Sequence, residues 1–587
     1  MLPNKLVILF YSCFACHQFF FLHQKDSTVP SRRPSFSSHW QTQSETASCS
    51  SLSIRHQGLP TEAGKLTSFL CEILPDHLDI RLGFDLCVEE QDFLHKRQKC
   101  VAAALKKVLQ LEQDLLDHEI PVVAIMTTGG GMRSLTALYG SLLGLKKLHL
   151  LDCATYLTGL SGTTWTMSNL YRDADWSQKD LDKQISEARK HMTKCKINSL
   201  SMEYLKYYKK QLCQRKREGR KTSFIDLWAL VLESLLHDGK DNHKLSDQQQ
   251  AIDHGQNPLP IYTAVNVKNN YSTLDFKEWV EFTPYEVGLL KYGAFVRSED
   301  FGSEFFMGRL MKKLPESRIC FLEGKLFNLE WGRGKCMHKI EEMEKPLLPL
   351  KPHELRTRLF TPPGPLGSAI RGALTDRLSV AQEHNFLKGF QMHKDYLENK
   401  HFCRWKDTVL DTFPNQLTES EEYLSLVDTG FFINTSIMPL LRPERKVDVI
   451  LHLNYSALDQ TCKYCSDQGI LFPRVELHEE DRKKLKECYL FEGAETPGAP
   501  ILLFFPLIND TFQNYKAPGQ KRSESEMEDG KVDLYGCCSP YSTYSVKYTE
   551  KVYDRLVQLG EYNILNNEDL IMQALRTAVE RKRQKKK

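Results

Sequence analysis

Ile120-Pro-Val-Val-Ala-Ile-Met126, Thr127-Thr-Gly-Gly-Gly131 and Met132-Arg133 follow one another, and their reading decides the fold. The first stretch is an unbroken apolar run, short, rich in β-branched residues and closed by glycines, which predicts a strand buried on both faces. The glycines permit backbone angles closed to other residues. Beyond them Leu135, Leu138, Leu142 and Leu145 recur at helical spacing. A second strand, about Ala154 to Thr158, runs into Gly159-Leu-Ser-Gly-Thr163, and Thr164 to Tyr171 has the residues of another helix. The whole reads as an α/β unit with Ser161 on a sharp strand-to-helix turn.

A serine on such an elbow stands clear of its neighbours at the C-terminal edge of a parallel sheet, above a helix N-terminus that favours developing negative charge. Ser161 is therefore the candidate nucleophile. One strand earlier, the amides of Gly130 and Gly131 lie in a loop without side chains and can point at the oxygen of a tetrahedral intermediate, which makes them the candidate oxyanion hole. A dinucleotide fingerprint fails, because Ser134 takes its third glycine position and Thr158-Gly159 its acidic one. A phosphate-binding loop fails too, because Met132-Arg133 stands where Lys-Ser/Thr is needed. A plain glycine turn remains open on these residues alone.

Tyr423-Leu-Ser-Leu-Val-Asp428-Thr-Gly430 reads as a buried strand ending in an acid and a turn. A carboxylate there is well placed for a site above a sheet, and Asp428 can serve as the base a serine needs. The other reading is a turn-forming aspartate. His452, in the strand Val447 to Asn454, is the other candidate partner and reads as a structural histidine.

Thr128-Gly-Gly-Gly-Met-Arg133, Gly159-Leu-Ser-Gly-Thr-Thr-Trp165 and Val427-Asp-Thr-Gly430 together resemble the group IV cytosolic phospholipase A2 family. The likeness extends to Trp279 to Gly288, Phe301-Gly-Ser303 and Leu441-Arg-Pro-Glu-Arg445, and spans about Leu74 to the C-terminus. Within the family it is greatest to the delta, epsilon and zeta branch, above all to the epsilon type. The resemblance implies a patatin-like α/β catalytic domain with a central, mostly parallel sheet, a nucleophile elbow and a cap or lid. It also implies a Ser161–Asp428 dyad without histidine, Gly130 and Gly131 as oxyanion hole, and Arg133 and Arg445 on the substrate phosphate. The implied reaction is hydrolysis of a fatty acyl ester of a glycerophospholipid. The alternative is calcium-dependent acyl transfer to the amine of phosphatidylethanolamine, and the competing class is a non-catalytic membrane-binding variant. No metal or cofactor is implied for the catalytic domain. Calcium enters full-length relatives through a C2 domain, and none is recognisable in this chain.

The remaining composition bounds the rest. With 587 residues, 41% of them hydrophobic, a large core is available. A net charge of +3 is too small to imply a nucleic-acid partner. The 17 cysteines are odd in number and scattered, as reduced cytosolic thiols would be, and Cys462-Lys-Tyr-Cys465 lacks a second pair for zinc. Residues 1–73 do not resemble the family: Leu6 to Leu22 is apolar but interrupted by His17-Gln18, and Ser27 to Ser53 is a serine-rich linker. The catalytic domain is expected over 74–575, with a proline-rich loop at Pro346 to Gly372 near a lid and a divergent stretch between Cys320 and His353. Arg189 to Lys221 is strongly basic, a solvated surface or a membrane-facing one. Residues 576–587 form a polybasic tail in which Arg581, Lys582, Arg583, Lys585, Lys586 and Lys587 are expected to bind an anionic membrane of phosphoinositide or phosphatidylserine. The expected location is the cytoplasm, peripherally on membranes.

Overall fold

The computed structural model describes residues 78–587 except for several internal segments, the longest being 269–277, 327–379 and 390–420, and for 585–587. In chain order the elements are β1 (Arg81–Leu82), α1 (Val88–Leu109), β2 (Val122–Thr127), α2 (Met132–Lys147), β3 (Tyr156–Gly159), α3 (Gly162–Leu170), α4 (Asp182–Thr193), α5 (Met202–Arg217), α6 (Phe224–Leu236), β4 (Leu259–Asn266), β5 (Glu278–Phe282), β6 (Glu286–Leu289) and β7 (Ala294–Arg297). There follow β8 (Glu304–Phe306), β9 (Arg309–Lys312), α7 (Ile319–Leu326), β10 (Ala381–His384), β11 (Tyr423–Val427), β12 (Val447–Asn454), α8 (Thr461–Asp467), β13 (Tyr489–Phe491), β14 (Ile501–Pro506), β15 (Tyr515–Ala517), β16 (Gln520–Lys521), α9 (Glu550–Leu565) and α10 (Glu568–Gln584).

The apolar run at Ile120 does form a strand, and it lies near the middle of one sheet ordered β1-β7-β6-β5-β4-β3-β2-β12-β14-β13. Strands β4, β3, β2, β12 and β14 are mutually parallel, whereas β13 and the β5–β6–β7–β1 edge are antiparallel. Parallel strands with helices on both faces must be apolar throughout, as Val449 to Leu451 and Ile501 to Leu503 are, each at most 3% exposed. Helix α2 packs on α9 at backbone distance: a Cβ on Gly140 would sit 2.1 Å from the Val557 carbonyl oxygen.

Helix α1 ends at Leu109, with Gln110 in the left-handed region (φ 54°). Helix α10 runs through the expected boundary at 575/576 and buries Ile571, Ala574, Leu575, Ala578 and Val579. Residues 576–584 therefore continue the fold and do not begin a separate tail. The Leu6 to Leu22 stretch, the serine-rich segment, the Pro346 to Gly372 loop and most of the divergent segment lie outside the described residues. The start of the divergent segment, Phe321 to Leu326, belongs to α7 and packs on α6. Among the described residues no helix is long and apolar enough to cross a membrane.

One off-path pairing positions the site. Strand β4 gives one edge to β5 along Tyr262 to Asn266, so its other edge must take both β3 and β11. On that edge β3 runs parallel and ends with Gly159 opposite Tyr262, while β11 runs antiparallel and ends with Val427 opposite Val265. The two strand ends face each other along one edge, roughly 10 Å apart at about 3.3 Å per residue. Ser161 follows the first end and Asp428 the second.

Candidate active site

Two strand-to-helix turns of the same shape hold the candidate residues. Gly131 precedes α2 with φ 62° and ψ −134°, and Ser161 precedes α3 with φ 51° and ψ −132°. For a side chain other than glycine this is a strained conformation that the surroundings must enforce. They do so by close packing: a Cβ on Gly162 would lie 2.0 Å from the Gly131 carbonyl oxygen, and one on Gly159 would lie 2.3 Å from Met167 Sδ. Gly162, which meets backbone, is thus required by contact, whereas the Met167 side chain beside Gly159 can shift. Ser161 is 7% exposed, so a reagent reaches it only along a narrow approach.

Among the described residues the amides of Gly130 and Gly131 donate to no protein acceptor. They sit one loop away from Ser161, whose Cβ and Oγ come within 2.8 and 3.2 Å of where a Cβ on Gly129 would stand. Thr128 fixes this loop to the end of β12: its Oγ1 donates to Asn454 Oδ1 at 3.1 Å and accepts from the Tyr455 amide at 2.8 Å.

Asp428 is buried, and its Oδ1 accepts the Gly430 amide at 2.8 Å. The loop that follows it reaches back to the glycines. Asn434 Oδ1 accepts the Gly129 amide at 2.6 Å and its Nδ2 donates to the Gly129 carbonyl at 3.3 Å, so one side-chain amide pairs with one peptide as a strand would. Ser436 Oγ donates to the Thr127 carbonyl at 2.8 Å and lies 2.8 Å from Thr158 Oγ1, tying the ends of β2 and β3 to the same loop. These roles of Asn434 and Ser436 escape a sequence reading, because a lone amide or hydroxyl in a loop carries no pattern.

Behind β11, Glu383 on β10 is buried among Lys325, Arg220 (2.9 Å) and Arg215 (3.5 Å). Burial alone would raise its pKa, but the three cations more than offset this and hold the carboxyl down to about 2. The strand that delivers Asp428 is thereby anchored through its neighbour.

Arg133 lies beside the glycine loop, in the first turn of α2. Its Nε donates to the Tyr455 carbonyl at 2.8 Å and its Nη1 to the Tyr541 carbonyl at 2.9 Å, and its guanidinium stands 5.2 Å from the centre of the Tyr535 ring. No described carboxylate pairs with it, although it is only 5% exposed. A buried cation held by carbonyls alone keeps an unspent attraction for an anion.

Arg445 is not at the site, which corrects the expectation that it binds substrate phosphate. It precedes β12 and so lies at the N-terminal end of the parallel strands, away from Ser161. There it is 1% exposed, bonded to Glu90 (2.9 and 3.1 Å), Glu281 (2.6 and 3.1 Å) and the Pro439 carbonyl. Burial opposes its charge, yet Glu281 and Glu90 keep its pKa above the ordinary arginine value. With both faces of its guanidinium engaged, it is a structural ion pair.

The described part of the basic C-terminus is also engaged by the protein. Arg581 donates to the Glu492 carbonyl at 2.6 Å, Lys582 pairs with Asp448 at 2.8 Å and Arg583 with Glu119 at 3.3 Å. Lys585, Lys586 and Lys587 lie outside the described residues. His452 is fully buried in mid-β12, its ring centre 5.2 Å from that of Phe504, in the core rather than with Ser161.

A model of the lysophospholipase catalytic domain family matches residues 123–327. The chain is 54% identical over 539 residues to cytosolic phospholipase A2 epsilon of Homo sapiens, covering 87% of this chain and 62% of that protein. It is 48% identical over 547 residues to cytosolic phospholipase A2 delta of the same species, covering 89% and 67%. The solved structure of human GIVD cytosolic phospholipase A2 superposes with a TM-score of 0.78 at 48% identity, over 86% of this chain and 69% of that one. The same protein in complex with methyl gamma-linolenyl fluorophosphonate superposes with a TM-score of 0.69 at 44% identity, over 86% and 66%. The chain spans about six-tenths of the length of the epsilon relatives it matches. With a mixed sheet of parallel core, paired elbows and these likenesses in agreement, the chain belongs to the cytosolic phospholipase A2 family.

Proposed function

We propose that this chain is a membrane-associated serine acyl hydrolase that cleaves the fatty acyl ester of glycerophospholipids through Ser161 and Asp428. The observation that supports the reading is the head-on approach of β3 and β11 along one edge of β4, with Ser161 two residues beyond the end of the first strand and Asp428 directly beyond the end of the second. In the acylation step Ser161 Oγ attacks the ester carbonyl as Asp428 takes its proton. The amides of Gly130 and Gly131 stabilise the oxyanion, and the proton passes to the departing lysophospholipid. Water then attacks the acyl-serine by the same route, releasing the fatty acid and restoring Ser161. Arg133, a buried cation without a carboxylate partner beside the glycine loop, holds the substrate phosphate. That human GIVD cytosolic phospholipase A2 was solved in complex with methyl gamma-linolenyl fluorophosphonate, a fatty-chain electrophile, supports a serine-directed acyl chemistry for this chain.

The amine of phosphatidylethanolamine can replace water on the same acyl-enzyme, giving N-acyl-phosphatidylethanolamine. The test is product analysis on vesicles of phosphatidylcholine and phosphatidylethanolamine, with and without calcium, for the chain and for Ser161→Ala. Products that vanish in the variant support the reading, and their ratio of free acid to N-acyl lipid separates hydrolysis from transfer. Equal inertness of both proteins, together with no fluorophosphonate labelling of Ser161, sinks it in favour of a membrane-binding role without catalysis.

A further inference from the structure

The described cations at the end of α10 and those on α5 differ in what they meet. Those at the end of α10 are satisfied by Asp448, Glu119 and the Glu492 carbonyl. Helix α5 differs. Lys206, Lys209, Lys210, Lys216 and Arg217 are all exposed on it, and Glu203 is the one exposed acid of that helix. None of the five forms an ion pair among the described residues; Arg217 Nε donates only to the Cys213 carbonyl of its own helix. Lys206 stands one turn from Lys209 and Lys210, a like-charge spacing that weakens a helix on its own. Stability of the helix does not account for this arrangement.

The opposite face fixes which way the charge points. Tyr208, Gln211 and Arg215 are buried. Tyr208 Oη is bonded to the Ser199 carbonyl (2.9 Å) and Ser234 Oγ (2.7 Å), and Arg215 pairs with Asp226 (3.1 Å) and Glu383. At the N-terminal end of the outward face Met202 is 47% exposed. A fixed helix with an unpaired cationic face and an exposed apolar residue at one end matches the chemistry of a headgroup layer above acyl chains.

We propose that the outward face of α5 is the surface by which this unit docks on an anionic lipid leaflet. The inference rests on the acyl-hydrolase reading for its choice of partner: the substrate of that reaction lies in a membrane, whereas a nucleic acid has no use for Met202 and the net charge of the chain is only +3. Arg215 ties the docked helix to Glu383 on β10, the partner of the strand that ends at Asp428. The docking face and Asp428 are thus linked through one buried ion pair and one strand pairing.

The test is flotation with vesicles of phosphatidylcholine, with and without phosphatidylserine, in the full chain carrying Ser161→Ala so that the lipid stays intact. A variant with Lys206→Gln, Lys209→Gln and Lys210→Gln is compared with one carrying Arg581→Gln, Lys582→Gln and Arg583→Gln. Each cation near an anionic surface contributes about fivefold, the equivalent of about 1 kcal/mol, so the α5 variant should bind phosphatidylserine vesicles about 100-fold more weakly with its melting temperature retained. The α10 variant should bind nearly as well as the parent. Unchanged binding of the α5 variant, a loss confined to the α10 variant, or binding of duplex DNA in place of vesicles overturns the proposal. Fluorophosphonate labelling of Ser161 in the unsubstituted chain is scored separately, so the hydrolase reading stands or falls independently of the docking face.

Discussion

Gly131 and Ser161 share one backbone conformation, φ 62° with ψ −134° and φ 51° with ψ −132°, although only glycine holds it without strain. The left-handed region disfavours a Cβ by about 1–2 kcal/mol. Ser161→Gly and Ser161→Ala should both abolish esterase activity, but the glycine variant should be about 1 kcal/mol more stable than the alanine variant in urea unfolding. A glycine variant of equal or lower stability would show that the elbow stores no strain.

Gly162 leaves no room for a side chain, its virtual Cβ lying 2.0 Å from the Gly131 carbonyl oxygen. Gly162→Ala must push the two elbows apart, at a cost of about 3 kcal/mol for overpacking, and should abolish fluorophosphonate labelling. Retention of full labelling speaks against the close approach of the two turns.

Asn434 pairs with both groups of the Gly129 peptide and keeps the glycine loop against the Asp428 loop. Misplacement of a catalytic group by about 1 Å is worth roughly 100-fold in rate. Asn434→Ala should therefore lower kcat by about that factor with little change in vesicle binding. A rise in KM at constant kcat would assign Asn434 to substrate contact instead.

Arg133 and Arg445 should respond differently to removal. Arg445→Ala leaves Glu90 buried without its cation and Glu281 with Arg442 alone, which should destabilise by about 3–5 kcal/mol. Arg133→Ala removes no carboxylate's partner and should raise KM for phospholipid while a substrate lacking phosphate is hydrolysed as before. If Arg445→Ala folds normally and shows the KM effect, the assignment of the two residues is reversed.

Glu323 supplies a pH dependence. Burial raises its pKa to about 7, and its carboxyl is bonded to Ser168 Oγ. The native state then keeps a proton that the unfolded chain loses above its ordinary value of 4.5. Stability from this group is complete below that value and declines as pH rises to about 7, at a slope of about 1.4 kcal/mol per unit. Glu323→Gln should flatten the curve of unfolding free energy against pH across this window. An unchanged slope would place the titration elsewhere.

The features legible in the sequence were those enforced by local sterics. The glycine after Ser161 signals a turn that admits no side chain, and the contact of Gly162 with the Gly131 carbonyl gives the reason. Apolar runs signalled the buried strands because parallel strands have no solvent face. Arg445 was misplaced because an arginine in a loop looks alike whether it meets a ligand or two buried carboxylates across the chain. Lysine and arginine dominate the end of the chain and so suggest a tail, while the helical spacing of Ile571, Ala574, Leu575, Ala578 and Val579 marks the core contact. Asn434 carried no signal, since its partner is 305 positions away.

That separation also bears on synthesis. A ribosome adds about 5–20 residues per second, so roughly 15–60 s pass between emergence of the glycine loop and of the asparagine that fixes it. The Ser161 elbow is made early, whereas Asp428 and the Asn434 brace on the glycine loop are made late and join β4 over the short stretch from Val265 to Val267. A chain that ends before Asp428 therefore carries the Ser161 elbow without the carboxylate that the proposed reaction needs, and on that reading it cannot act on the membranes around it.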